Sequence, residues 1–492
     1  MRYTCAGCGA EFEAEPGDSK VRCPKCLRQH GLMPESLGAA EEAPVRVSCV
    51  LPPPRRRLLI GGVGIAVTVA GALAVGLVWG GGGDPRTPAL SDAQLRAALA
   101  RRGLPADRIV LPFAADEGVR RLAATTPAGP PEARGQALAA SVRGLVDKAS
   151  RWRRQRLPEQ PPRSAVELLS ALSGGSAGEV QSYEAAALTL AAARAAGLHA
   201  LLAEVHRQGG RLADSTGTVG AYGVAIYGAA PAVGARPVVY VDAFGDGAID
   251  EATPLGDVQA AAGYYILASL AHSGGDGDSG AAYRAAGWAV ALWPGAPLAL
   301  TARGQALIAG GGAREAVTEL RQAAAARDDA PRHTNLAAGY LAAEEPEQAV
   351  ASLRTAVARH AGFAPAHVSL AAVLSMRRDH DGAQRELEAA ERGDPNAPGL
   401  RLVRAQILAA KGDLTGAERE VRAEIAADPG DERAGLMLYG LLKALARDSD
   451  ADAVRDGLLK RSKHEARLRQ IFDAAAGQGQ GQGHDHDRGH GH

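Results

Sequence analysis

The sequence predicts a multidomain, mainly α chain: a small zinc-binding segment, one transmembrane helix, a small α+β domain and an α-solenoid. Three observations carry this reading. Two Cys-x-x-Cys pairs open the chain, an uncharged apolar run fills 58–79, and from about residue 263 small residues recur with a period near 34. At 492 residues the chain has room for several domains, since domains run to ~100–200 residues. Basic and acidic residues balance at a net charge of zero, which gives no basis for nucleic-acid binding. Abundant Ala, Leu and Arg favour helix.

In segment 1–32, Cys5 and Cys8 are followed after fourteen residues by Cys23 and Cys26. Two such pairs can place four thiolates on one tetrahedral zinc ion. So short a segment has too little core to fold alone, so the metal supplies most of its stability. A site closed by four thiolates is structural, because it keeps no open coordination position. The alternatives are a redox dithiol pair and an iron–sulfur site. The stretch through Val21-Arg22-Cys23-Pro24-Lys25-Cys26 resembles the short finger-like zinc ribbon at the N-terminus of many bacterial membrane and signalling proteins, which implies a docking or sensing module. Cys49 is left over in the Pro/Arg-rich linker 33–57, and no cysteine follows it. That excludes a disulfide framework and a thiol nucleophile from the rest of the chain.

The run 58–79 matches the ~20 apolar residues that cross a bilayer core. Arg55, Arg56 and Arg57 precede it, and Gly80 to Gly83, Asp84 and Pro85 follow. The positive-inside rule then places the N-terminus in the cytoplasm and the bulk outside it. With the Ala, Gly and Arg bias of a GC-rich bacterium, the expectation is a single-pass inner-membrane protein with its bulk in the periplasm. Gly62, Ala66, Ala70 and Ala74 form a small-residue stripe on which two such helices could pair as a homodimer.

Residues 84–160 read as a helical region whose basic patch, 151–156, is a solvated face. In 161–255 a helix from Ser182 to Ala196 ends at Gly197, and strands follow over 198–206, 221–227 and 237–242. This order resembles the core of the transglutaminase-like (papain-like) fold. There a cysteine begins the helix, a turn of the Gly-Ile-Pro-Ala-Arg type leads into a strand, a histidine begins the next strand and an aspartate ends the third. Gly197-Leu198-His199-Ala200 occupies the turn, Ser182 and Tyr222 stand at the cysteine and histidine positions, and Asp242 alone matches. That chemistry needs a thiolate beside an imidazole oriented by a carboxylate, so the resemblance implies a body without catalysis. The alternative is an envelope enzyme acting on peptides through a rearranged site of Ser182, Asp242 and His199 or His206.

The repeats are predicted over 263–465, in units 263–296, 297–329, 330–363, 364–397, 398–431 and 432–465. Ala282, Ala316, Ala349, Ala383 and Ala417 are spaced by 33 or 34, and Ala289, Ala323, Ala356 and Ala390 follow the first four by seven. Each unit reads as helix, short turn, helix and a Pro or Asp stop, with small residues where two helices approach closely. The pattern resembles the tetratricopeptide repeat, most clearly from Leu336 to Ala356, although Glu424 replaces the late alanine of the fifth unit. The resemblance implies a groove that binds peptides or partner helices, with His333, Asn335, His367 and Arg401 as candidate groove residues.

The tail 477–492 has no apolar side chain and is expected to be disordered. His484, His486, His490 and His492, with Asp485 and Asp487, could hold a transition metal weakly. The function expected from these features is a membrane-anchored scaffold binding protein partners, with a metal sensor or carrier as a further alternative.

Overall fold

The computed structural model describes residues 89–473 except 153–157, 159, 176, 215–218, 232–234, 244–247, 275–277, 463–464 and 466–467. It also describes, as backbone, strands β1 (Arg2–Thr4), β2 (Glu11–Glu13), β3 (Lys20–Arg22), β4 (Gln29–Gly31) and β5 (Val45–Arg46). β1 pairs antiparallel with β2 and parallel with β5, and β3 pairs antiparallel with β4. Cys5, Cys8, Cys23, Cys26, Cys49, the run 58–79 and the tail 477–492 lie outside the described residues.

Among the described residues no helix is long and apolar enough to cross a membrane. This corrects the expected fold class with its transmembrane helix, and with it the single-pass inner-membrane localisation. The physical reason is the spread of polar groups. The 19-residue helix Pro131–Ala149 carries Glu132, Arg134, Arg143, Asp147 and Lys148 along its length, and each charge opposes insertion into hydrocarbon.

The chain forms two compact bodies, Met1–Glu345 and Pro346–His492. The first begins with α1 (Asp92–Arg101), and in it α2 (Glu117–Ala124), α3 (Pro131–Ala149) and α4 (Ala165–Ser173) pack around α5 (Ser182–Ala195). Short strands β6 (Ser150–Trp152) and β7 (Gly178–Val180) pair in parallel. Every residue of α5 from Tyr183 to Ala193 is buried. Alanine allows this, because a helix apolar on nearly every side must be enclosed all round. The polar side chains Glu184 and Thr189 within that run are buried with hydrogen-bond partners.

The enclosing sheet is antiparallel, in the order β11 (Val239–Val241), β10 (Tyr222–Tyr227), β8 (His199–Gln208) and β12 (Ile249–Pro254), with β9 (Arg211–Leu212) paired to β8. Side chains alternate across it. Leu202, Tyr222, Val224 and Ile226 join the α5 core, whereas Leu201, Ala203, Ala225 and Tyr227 form a smaller outer cluster. A Cβ on Gly135 of α3 would stand 2.8 Å from Ile226 Cγ1, so only glycine lets that helix reach the sheet. Hydropathy alternation does not mark β12, because Asp250, Glu251 and Thr253 make it a polar edge strand.

Antiparallel helix pairs follow, and the protein is a mainly α helical-repeat array. In the first body these are α6 (Asp257–Gly274) with α7 (Ser279–Leu292), α8 (Pro297–Ala309) with α9 (Ala313–Ala326), and then α10 (Ala330–Ala342). α6 begins at Asp257, six residues before the expected first repeat, because its buried Asp257 is clasped by Arg194. The second body holds α11 (Pro346–Arg359), α12 (Ala364–Met376) with α13 (His380–Gly393), α14 (Leu400–Ala410) with α15 (Leu414–Ala427), and α16 (Glu432–Ala444) with α17 (Asp448–Arg461). Both alanine series are fully enclosed: Ala282, Ala316, Ala349, Ala383 and Ala417 are 0% exposed, and Ala289, Ala323, Ala356 and Ala390 are at most 1%.

The turns that follow α8, α10, α12, α14 and α16 each hold one residue in the left-handed region at the same register: Gly311, Glu344, Arg378, Gly412 and Ala446. A side chain there costs ~1–2 kcal/mol that glycine avoids, partly offset by glycine's extra freedom when unfolded. Glu344→Gly, Arg378→Gly and Ala446→Gly are each expected to raise stability by about 0.5–1 kcal/mol. Thermal melts of the three single variants check this, and a fall in midpoint would refute it.

Glu424, at the position where the fifth unit lacks its alanine, is half-buried. Burial raises its pKa above the ordinary 4.5, and Asp431 adds to the effect. A carboxyl whose folded pKa is raised carries no penalty below its unfolded value, and acquires one as pH rises through the folded value. Glu424→Ala is therefore expected to raise the melting midpoint by ~1–3 °C at pH 7. The gain should shrink at pH 4 to the small part owed to helix propensity.

Candidate functional site

Ser182 opens α5 and is half-buried. The residues behind it are tightly held. Arg163 donates from Nε and its backbone N–H to Glu184 Oε1 at 2.7 and 2.9 Å, and Glu184 Oε2 accepts from the backbone N–H of Gln181 at 2.8 Å.

Tyr222 is 1% exposed and packs edge-to-face on Tyr183 at 5.2 Å. Its hydroxyl has no partner among the described residues, whereas that of Tyr183 donates to the carbonyl of Ala260. Burial pushes the Tyr222 hydroxyl far above its ordinary pKa, and Glu204 adds to this. Asp242 follows β11. Val241 pairs with Val224, so Asp242 points to the face opposite Tyr222, and it accepts from Gln208 Nε2 at 3.1 Å. The structure therefore does not bring Tyr222 and Asp242 together as a relay beside Ser182. His199 is exposed at the start of β8, and His206 Nε2 is bonded to Thr253 Oγ1 at 2.8 Å rather than to Ser182.

A second polar cluster lies where the inner face of β8 leaves α5 and meets the repeats. Glu204 is 3% exposed, and its carboxylate is bound by Arg327 Nη1 at 2.7 Å. Burial opposes the Arg327 charge, but Glu204 more than offsets this and raises its pKa. Arg332, 4% exposed, pairs with Asp329 at 3.1 Å. His206 Nδ1 stands 3.6 Å from Glu204 Oε1. Burial lowers the His206 pKa from 6.5, opposed by Glu204 and reinforced by Arg327. No spacing in the sequence marks this cluster, since Glu204 and Arg327 are 123 residues apart. The one local signal was a Glu and a His on the core face of an otherwise apolar strand.

The four candidate groove residues differ in placement. Arg401 is half-buried at the start of α14. His333 bonds Asp328 at 2.8 Å. Asn335 is buried and accepts from Gln305 Nε2 at 3.1 Å. His367 is also buried, its ring nitrogens 2.7 Å from Glu386 Oε2 and 2.9 Å from the carbonyl of Ala361. Asn335 and His367 thus hold helices together instead of facing a groove.

No family model matches the chain, and no curated protein matches it. Solved structures similar to it include a tetratricopeptide repeat protein from Parabacteroides merdae, 18% identical over 44% of this chain and 88% of that one, with a TM-score of 0.33. A thermophilic TPR protein from Thermus thermophilus is 20% identical over 34% and 91% of the two chains, at 0.32. PilF of Pseudomonas aeruginosa is 19% identical over 44% and 98%, also at 0.32. Likenesses this distant concern fold alone, and the repeat architecture rests on the helix pairs themselves.

Proposed function

We propose that this protein is an assembly scaffold whose repeat array binds protein partners. The observation that carries the reading is the buried alanine register. It spends the small residues on closing helix against helix and leaves the polar faces for recognition, as helical arrays do. Met376 of α12, 68% exposed, and the half-buried Arg401 of α14 supply apolar and basic contacts on neighbouring pairs of the second body. The test is chemical cross-linking and affinity capture with the full chain and with Met376→Asp/Arg401→Glu. A stoichiometric protein partner lost in the variant is the expected result. Equal capture by both, or none by either, rejects the assignment.

The same proposal includes one structural zinc ion on Cys5, Cys8, Cys23 and Cys26. Supporting it, each Cys-x-x-Cys falls in sequence between two strands that pair antiparallel, β1 with β2 and β3 with β4. One zinc per chain is expected by elemental analysis, lost in Cys8→Ser/Cys26→Ser and kept when the histidine tail 477–492 is removed. Zinc lost only with the tail would transfer the metal to His484, His486, His490 and His492. The α+β body is read as a transglutaminase-like core without catalysis, supported by the separation of Tyr222 and Asp242. Ser182→Ala should leave partner capture unchanged.

A further inference from the structure

Buried polar atoms in folded proteins nearly always have hydrogen-bond partners. In the seam between sheet and repeats four have none among the described residues: Tyr222 Oη, Arg332 Nε, Thr301 Oγ1 and His206 Nδ1. Tyr222, Arg332 and Thr301 are 1%, 4% and 0% exposed.

The four lie around one place. Tyr222 and Glu204 are opposite one another on β10 and β8, and Glu204 binds Arg327 from the turn that leads to Arg332. Tyr222 and His206 both feel the charges of Arg327 and Arg332. Gln305 and Asn335 join α8 to α10, and Thr301 and Arg332 stand about one turn before them on the same two helices. A Cβ on Gly220 would meet both the Tyr222 ring and Leu298 of α8, at 2.8 and 2.9 Å, which seats β10 directly on that helix.

The chemistry of the set is one-sided. The Arg332 Nε–H is a donor only, and the Tyr222 and Thr301 hydroxyls and the His206 ring can each donate. The neighbouring carboxylates of Glu204 and Asp329 are already taken up by Arg327 and Arg332. We propose that this seam is a binding site for a small oxyanion, a carboxylate or a phosphate, held by Arg332, Tyr222, Thr301 and His206.

Charge balance adds a signature. Glu204 with Arg327 and Asp329 with Arg332 are two neutral pairs, so a bound anion leaves one uncompensated charge. A proton on His206 offsets it. The groups facing His206 are Glu204 on its own strand, Thr253 and Glu251 on β12, and Arg327 and Arg332 from the repeats. Burial holds the ring's pKa down from its ordinary value. An anion raises that pKa, so by linkage binding strengthens as pH falls.

The experiment is calorimetric titration of the full chain with acetate, succinate and phosphate, against chloride at matched ionic strength, at pH 5.5 and 7.5. Saturable 1:1 binding is expected, tighter at pH 5.5. Tyr222→Phe and Thr301→Val, which keep shape and remove one hydroxyl each, should both weaken it about tenfold. Preference for phosphate or for a carboxylate identifies which oxyanion the site is built for. A response no larger than that to chloride means the donors are satisfied by ordered water only, and overturns the proposal. Binding that neither variant weakens places the anion elsewhere and overturns it equally.

Discussion

Replacing Arg163 by alanine lowers the stability of the first body by about 3–5 kcal/mol, the cost of leaving a buried carboxylate without its counter-charge. Glu184 is 3% exposed on the helix at the centre of that body. Arg163 is its cation, reaching both carboxylate oxygens at 2.7 and 3.1 Å and the carbonyls of Ala177 and Glu179 at 2.5 and 2.7 Å. Alanine removes all four bonds. Glu184→Gln should be milder, because a neutral amide has no charge to desolvate. In the Arg163→Ala background it should recover part of the loss, since the two residues share one network. Urea unfolding of the four-member cycle measures this. A loss below about 1 kcal/mol for Arg163→Ala would mean that water reaches Glu184 and the clasp is superficial.

Leu320→Ala carries the second large effect, a loss of about 2–5 kcal/mol for a buried leucine with rigid surroundings. Leu320 of α9 is 1% exposed and lies against a glycine on each neighbouring helix. A Cβ on Gly304 would fall 2.6 Å from Leu320 Cγ, and one on Gly339 would fall 2.8 Å from Leu320 Cδ1. Gly304→Ala should therefore destabilise the wild type by ~1–3 kcal/mol through overpacking. It should be nearly silent or favourable once Leu320 is alanine, because the new methyl enters the space just opened. Additive effects in that cycle would show that the glycines are not there to admit the leucine.

The repeat register was legible because it is local. Alanines at 33- or 34-residue spacing report a helix-to-helix distance that every unit must satisfy, and each proved fully buried. The helix from Ser182 and the strands around 199–208 and 222–227 were legible for a similar reason, being apolar runs with clear glycine ends. The polar edge strand β12 was not, since only its pairing with β8 makes it a strand. Neither was the inward turn of Asn335 and His367. A polar residue on a repeat helix looks solvent-facing until its partner, Gln305 or Glu386, is placed in three dimensions. The Glu204–Arg327 pair joins elements more than a hundred residues apart, and no spacing rule reaches that far. The apolar run 58–79 was read by length and hydropathy alone, whereas the described helices, such as α3, keep charges along their faces.

The alanine helix at the centre of the first body also sets an order of events during synthesis. α5 has no solvent face of its own, and the core that encloses it runs from Leu95 to Ala302. A ribosome must therefore release about two hundred residues before this core can close, and helix pairs that touch mainly their neighbours need far less chain. Until Ala302 has emerged, the apolar surface of α5 is exposed to any chaperone or aggregation partner nearby. Truncations that end before α8 should accordingly be recovered bound to holdases or in aggregates, and those that end after it as folded bodies.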